Sequence, residues 1–289
     1  MKVFVFSYNR GRFLRNCVDS VFRHLPDPDV VIVDDNSDDP EVYRVISDNS
    51  YRLSVYQPET TGSFYLGGLY SNIDHVVSNN KNTDKALFIQ DDMQIVRDVS
   101  DFDLECIDLF FGKYKNSINL HTCFAKKSRL ISGKESRYFD SEVSAYFREK
   151  GRRSHFSAVG VMNLRFLNEI GFSFCGTEGR NDEEAKRVAD PMGFSFSPFM
   201  MWLPFPESSK FRKKTIRHSL AEWWVGAGFY PYRPMTENDV NKLRGRPASE
   251  LPVAENFLHA EGVVGQDFWV FEDATKAVKL FHKAFKKRK

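Results

Sequence analysis

Short, uninterrupted apolar runs recur through the first ninety positions, and three of the four stop abruptly in polar clusters. Val3 to Phe6 gives way to Ser7-Tyr8-Asn9-Arg10-Gly11, and Val30 to Val33 to Asp34-Asp35-Asn36-Ser37-Asp38-Asp39. Leu53 to Tyr56 is a third run, and Ala86 to Ile89 ends in Gln90-Asp91-Asp92. Runs of this length without alternation read as strands buried on both faces. Between them the period changes to that of a helix. Phe13, Leu14, Cys17, Val18, Val21, Phe22 and Leu25 share a face that Pro26 and Pro28 end, and Leu69, Tyr70, Ile73, Val76 and Val77 share another. Pro40 and Glu41 sit where a first helical turn begins, after Asp39 as cap. Strand and helix alternate, which predicts an α/β, Rossmann-like, mostly parallel sheet flanked by helices. Ligands of such sheets bind beyond the carboxyl ends of the strands, where the polar clusters fall.

The rest of the chain is less regular. Ser117 to Cys123 reads as a strand, and Lys126 to Arg153 as a mobile, loop-rich segment. Phe156 to Met162 is apolar; Asn163 caps a short helix that Gly171 ends, and Asn181 caps another whose first turn holds Asp182, Glu183 and Glu184. Phe, Met, Trp and Pro crowd 191–206, and a basic run from Lys210 leads to His218 and Trp223-Trp224. The aromatic residues there read as packing, with stacking on an acceptor sugar as the alternative. Residues 226 to 270 carry Gly and Pro throughout and give no element, and Glu272 to Lys289 closes as a basic amphipathic helix.

Composition changes little of this. In 289 residues Lys and Arg nearly balance Asp and Glu, a net charge of +2 that does not mark a nucleic-acid binder. Four scattered cysteines, with no paired spacing, read as reduced thiols in a cytoplasmic protein. No run reaches the length of a membrane span, and the N-terminal run is too short for a signal peptide. Charge is uneven only at the end, where 276–289 holds seven Lys or Arg and no acid. That tail fits peripheral contact with the inner face of an anionic membrane, a nucleic-acid contact less readily, or a solvated end.

Asp91 and Asp92 close a buried run, and carboxylates there need a cation or hydrogen-bond donors unless the turn is simply solvated. A divalent metal against a phosphate meets that need with hard oxygen ligands. The ordered set Phe6-Ser7-Tyr8-Asn9-Arg10, Val33-Asp34-Asp35-Asn36-Ser37, Phe88-Ile89-Gln90-Asp91-Asp92 and Ile170-Gly171-Phe172 followed by Asn181-Asp182-Glu183-Glu184 resembles the inverting, family 2 glycosyltransferases of GT-A fold. The resemblance covers about residues 3 to 220.

It implies a metal-dependent transfer of a sugar from a nucleotide-diphospho donor, foremost a UDP-sugar, to a glycan or lipid-linked acceptor. Ser7, Tyr8, Asn9, Arg10, Asp34, Asp35, Gly62, Asn72 and Asp91 would line the nucleotide site, although Ser71 stands where relatives often carry Arg. Asp92, with Asp91 and His218, would hold Mn2+ or Mg2+; the usual Asp-X-Asp is altered by Gln90, which favours Asp92. Asp182 takes the place of the catalytic base, with Glu183 as runner-up because Asn181 stands where relatives often carry Glu. The implied organisation is a GT-A domain over 1–225, its nucleotide-sugar half about 1–125 and acceptor half about 126–225, then a C-terminal extension over 226–289. Three other readings stay open: a glycosyltransferase acting on modified DNA, a nucleotidyltransferase, and a non-catalytic nucleotide-sugar-binding module.

Overall fold

The computed structural model describes residues 1–58, 68–131, 137–149, 151, 153–206, 216–224 and 227–262. The strands are β1 (Lys2–Ser7), β2 (Asp29–Asp34), β3 (Leu53–Tyr56), β4 (Lys85–Gln90), β5 (Met93–Ile95), β6 (Asn119–His121), β7 (Arg137–Asp140), β8 (Ala145–Arg148), β9 (Gly160–Asn163), β10 (Gly193–Ser195) and β11 (Met200–Trp202). The helices are α1 (Gly11–His24), α2 (Pro40–Asp48), α3 (Leu69–Asn79), α4 (Asp101–Lys113), α5 (Lys127–Ile131), α6 (Leu164–Glu169), α7 (Glu178–Val188), α8 (Ile216–Trp224), α9 (Glu237–Gly245) and α10 (Ala254–Phe257).

Nine strands form one sheet in the order β3-β2-β1-β4-β9-β6-β10-β8-β7, and β5 pairs with β11 in a second, two-stranded sheet. The four strands foreseen as buried runs are parallel neighbours, with Val3 opposite Val30 and Leu87, and Val30 opposite Leu53. The expected α/β architecture, a mostly parallel sheet flanked by helices, is therefore present. Alternate residues of the parallel strands feed two cores. Val3, Val5, Ile32, Leu87 and Ile89 pack with α1 and α2, whereas Phe4, Phe6, Val33 and Phe88 pack with α3, α6 and α7. Double-sided burial explains why these strands showed no alternation in sequence.

Four stretches differ from their sequence readings. Residues 101–113, where no element was foreseen, form α4, closed by a capping box in which Ser100 and Asp103 satisfy each other's backbone amides. The segment 126–153, expected to be loop-rich, contains the β7–β8 hairpin, with Arg137 directly opposite Arg148. Helix α7 begins at Glu178 with Thr177 as N-cap, so Asn181 is not the cap. Its amide instead accepts from the Cys175 amide at 2.6 Å and donates to the Cys175 carbonyl at 3.0 Å, pinning the loop before the helix. Finally, the segment from Ala227 to Gly262, read as the start of an extension, lies on the main core through Tyr232, Leu243, Ala254, Phe257 and Leu258. The basic amphipathic helix foreseen over 276–289 lies outside the described residues, among which no helix is long and apolar enough to cross a membrane.

Two polar clasps fix this closing segment and the β5–β11 pair beside the parallel strands. Gln94 exchanges hydrogen bonds with the backbone of Tyr232, at 2.8 and 2.9 Å. Arg97, fully buried, forks onto both oxygens of Asp103 at 2.8 Å and donates to the Ser197 and Pro198 carbonyls, while Arg244 reaches the same Asp103 at 2.8 Å. Removing one member of a buried pair leaves a charge with no counterion, which costs roughly 3–5 kcal/mol. Asp103→Ala is therefore expected to lower Tm by roughly 6–15 °C in calorimetry; an unchanged Tm would show that Arg97 is satisfied by the carbonyls alone.

Candidate active site

The carboxyl ends of β1, β2 and β4 lie side by side, and the polar residues that follow them interlock. Asn9 has φ of +50°, a conformation Asn tolerates better than most residues. Its side-chain oxygen accepts from the Asp38 and Asp39 amides at 2.7 and 3.2 Å, and its amide donates to Ser37 Oγ at 2.8 Å. Gly11 opens α1 by donating to Asp39, at 2.8 Å, so close to α2 that a Cβ there would lie 2.3 Å from Glu41 Cβ. Only glycine allows the two helix N-termini to approach in this way.

Asp34 and Asp35 face inward. The Asp34 carboxylate accepts from the Ser37 hydroxyl and amide and from Gln57 Nε2 at 2.9 Å. Asp35 accepts from the Gly68 amide at 2.7 Å and from Asn72 Nδ2 at 3.1 Å. Asn72 is thereby buried and fastens the start of α3 to the end of β2. Gly62 lies outside the described residues.

Asp91 sits between β1 and β4. Its Oδ2 accepts from Ser7 Oγ at 3.2 Å and the Tyr8 amide at 3.1 Å, and its Oδ1 receives Arg10 Nη1 at 3.3 Å. Burial pushes its carboxyl up to about 6, with Asp92 adding to the rise and Arg10 opposing it. Asp92 takes the same Arg10 nitrogen on Oδ2 at 2.8 Å, while its Oδ1 is buried and has no hydrogen-bond partner. An orphaned carboxylate oxygen is a place where a divalent cation fits, and such an ion would find its remaining ligands on a diphosphate and water. No group of three His, Cys, Asp or Glu side chains gathers there among the described residues. His218 falls in α8, and its side chain is not among those described.

The second half of the site is a cavity of about 520 Å3, a size that suits a sugar-sized ligand. Trp202 lines one part and Asp182 another. Trp202 pairs with Met93 across β11 and β5, and the next amide, Leu203, donates to the Asp92 carbonyl at 2.8 Å, so the cavity adjoins the aspartate pair. Asp182 Oδ1 accepts from the His155 and Phe156 amides at 2.7 and 3.2 Å, and its Oδ2 pairs with Lys186 at 2.6 Å. Burial would raise its carboxyl, but the His155 amide, Lys186 and the Phe156 amide outweigh that and hold it below the usual range. Glu183 is exposed and does not line the cavity; Glu178, one turn before Asp182 and at its edge, does. A helix started at Asn181 hid this residue, because Glu178 then fell outside the helix. Lys126, Arg129, Arg137 and Arg148 also line the cavity and were not singled out, since the loop-rich reading of 126–153 placed them together nowhere. A larger groove of about 780 Å3 runs along α4, away from the strand ends and their chemistry.

With this geometry in hand, comparison with known proteins is informative at the N-terminus. Residues 2–61 match the family described as glycosyl transferase family 2. Over those residues the match agrees with the resemblance read from the sequence, which extended to about residue 220. No curated protein is matched by the sequence. Among solved structures, S. aureus TarS is 17% identical over 71% of this chain and 37% of that one, with a TM-score of 0.49. TarS 1-349 in complex with UDP is 16% identical over 69% of this chain and 59% of that one, TM-score 0.48. The mannosyltransferase PcManGT from Pyrobaculum calidifontis, in complex with GDP-Man and Mn2+, is 12% identical over 100% of this chain and 75% of that one, TM-score 0.43. The chain thus spans 37% and 59% of these two TarS structures, less than two thirds of either.

The raised Asp91 carboxyl has a measurable consequence. Between the usual carboxylate range and about 6, the folded chain holds this proton while the unfolded chain has released it, so stability falls as pH rises through that window. In metal-free buffer, the Tm of wild type relative to Asp91→Asn is expected to drop as pH rises from about 4 to 6 and then level off. A difference that grows with pH would mean that the Arg10 pair, not burial, dominates.

Proposed function

We propose that this chain is a glycosyltransferase that moves a sugar from a nucleotide-diphospho donor, a UDP-sugar foremost, to an acceptor hydroxyl by a single inverting displacement. The observation that carries the reading is the cavity that joins Asp182 to the strand pair beside Asp92. Support for the donor class comes from the family match over β1 to β3 and from the complexes of similar structures with UDP and with GDP-Man and Mn2+.

In this reading the loops after β1 and β2, with Ser7, Tyr8, Asn9 and Arg10, face the nucleotide. Asp34, Asp35 and Asn72 hold those loops in register through the bonds described above. A divalent ion, Mn2+ or Mg2+, would be held by Asp92, with Asp91 behind it, and would supply Lewis-acid stabilisation of the departing diphosphate. Arg10 already places a positive charge on both carboxylates, and thus keeps the pair compact.

Asp182 serves as general base. It is ionised at neutral pH, and the two backbone amides that donate to Oδ1 aim the carboxylate, while Oδ2, paired with Lys186, keeps a second lone pair for the acceptor proton. Trp202, which also lines the cavity, offers an aromatic face for the sugar. Glu178 is the second carboxylate on the same cavity, and so takes the runner-up place that Glu183 had in the sequence. The acceptor, a glycan or a lipid-linked glycan, and the membrane contact of the 276–289 tail belong to this proposal, as does the cytoplasmic setting.

Asp182→Asn is expected to keep UDP affinity within about twofold while lowering transfer or donor hydrolysis by roughly 10²–10⁴-fold. Calorimetric titration with UDP and Mn2+, beside a UDP-release assay, separates the two effects. Full activity in Asp182→Asn together with loss in Glu178→Gln would move the base one turn back along α7. Asp92→Asn is expected to abolish the dependence of UDP binding on Mn2+; retained dependence would place the ion elsewhere.

A further inference from the structure

His121, the last residue of β6, lines the cavity that holds Asp182, and its side chain has polar atoms with nothing to bond. Nδ1 is buried without a hydrogen-bond partner, and neither ring nitrogen makes a hydrogen bond among the described residues. The backbone that carries the ring is held on both sides. β6 lies inside the sheet between β9 and β10, with Phe194 opposite His121. On the other side β9 comes so close that a Cβ on Gly160, at φ of +111°, would lie 2.5 Å from the Leu120 carbonyl oxygen and 3.1 Å from His121 Cα. The ring itself is flanked by Phe194 and Trp202, with centroids at 5.4 and 5.8 Å. Its orientation is therefore set by packing and not by a hydrogen bond.

Burial first, then Arg137, Arg129, Arg148 and Lys126, push the imidazole down to about 3, so the ring is neutral at neutral pH. A neutral imidazole has one N–H donor and one acceptor. A buried N–H without an acceptor is rarer than a buried acceptor that goes unused, which assigns the proton to Nε2 and leaves Nδ1 as a bare lone pair. Nε2 is not buried, and the cavity is the space it meets, so the ring offers a donor there. The indole of Trp202 lines the same cavity. A neutral imidazole also suits a metal, but no group of three His, Cys, Asp or Glu side chains gathers among the described residues. Packing alone does not ask for this residue: a phenylalanine ring between Phe194 and Trp202 would leave no polar atom unmet.

We infer that His121 is a sugar-recognition residue, whose Nε2–H donates to a hydroxyl or ring oxygen of a sugar lying against Trp202. That oxygen belongs either to the transferred sugar or to the acceptor, because the proposed base Asp182 opens on the same cavity and both sugars meet there. A site with a few placed polar groups fixes the orientation of its ligand, and a donor built to meet a substrate oxygen discriminates against analogues that lack it, since it is then left unpaired. The inference rests on the glycosyltransferase reading of the cavity and adds to it the group that holds the sugar. Its test is a binding measurement that does not require turnover.

Titrations of the full chain with UDP, UDP-glucose and UDP-N-acetylglucosamine in the presence of Mn2+ examine the donor arm. Glucose and N-acetylglucosamine, titrated in the presence of UDP, examine the acceptor arm. His121→Phe is expected to weaken at least one sugar-bearing probe tenfold or more while leaving UDP affinity within twofold, and the arm in which this happens identifies the sugar. Its Tm is expected to stay level or rise, since unpartnered polar atoms leave the interior. A residue that served packing alone would show the reverse, a lower Tm with unchanged sugar binding. His121→Gln, whose amide nitrogen reaches about as far as Nε2, is expected to recover most of the lost affinity, and His121→Leu repeats the test if the Phe variant does not fold. Sugar probes that bind the variants without the donor as they bind wild type, or a loss that Gln leaves uncorrected, overturn the inference. Failure of UDP itself to bind would remove the glycosyltransferase reading and this inference with it, whereas normal UDP binding with unchanged sugar affinities removes this inference alone.

Discussion

The buried carboxylate of Asp91 holds the candidate site together. It lies between two parallel strands at the point where their backbone ladders end, and there it replaces the missing partners of β1 by accepting from Ser7, Tyr8 and Arg10. Its cost is visible in its raised carboxyl, and the surrounding donors are what make burial tolerable. Because Arg10 also bonds Asp92, the orientation of the second carboxylate depends on the first. The loop after β1 is then tied onward through Asn9 to the loop after β2, and through Asp35 and Asn72 to α3. One polar network therefore runs across the ends of three strands, and shifting Asp91 would disturb all of it.

Against this fixed half stands a second half built differently. The cavity around Asp182 is assembled from β6, the β7–β8 hairpin, the loop before β9, the start of α7 and β11, elements distant in sequence. It is kept next to the aspartate pair by the β5–β11 pairing, which the Arg97–Asp103 clasp and the Gln94–Tyr232 bonds secure from behind. Division of labour follows from this. The parallel half is held by short-range bonds between neighbouring strand ends, whereas the mixed half brings together side chains distant in sequence.

Electrostatics separates the three key carboxylates. Asp91 is pushed up by burial, Asp182 is held down by amides and Lys186, and Asp92 keeps one oxygen without a partner. Only the last keeps an unmet hydrogen-bonding need, the one that the proposed cation would answer. Asp182, by contrast, is stabilised as an anion by donors that also fix its orientation, a state that suits the base of the proposed reaction.

The parallel half was legible in the sequence for a physical reason: strands buried on both faces must be apolar without interruption, and helices between them must show the 3.6-residue period. The run-ending polar clusters then located Ser7 to Arg10, Asp34, Asp35, Asp91 and Asp92 at one edge of the sheet. Local signals failed where contacts are long-range. Thr177 rather than Asn181 caps α7 because the Asn181 side chain is taken by Cys175. The polar 126–153 stretch forms a hairpin because its arginines stack on Phe194, some fifty residues away. Residues 227–262 join the main core because Gln94 and Asp103 reach them. What the sequence determined alone was the class of fold and the line of polar residues at its edge. Which carboxylates are spent on bracing, which one stays open, and how four cations meet around Asp182 were decided by the tertiary structure, since burial and pairing exist only once distant segments are packed.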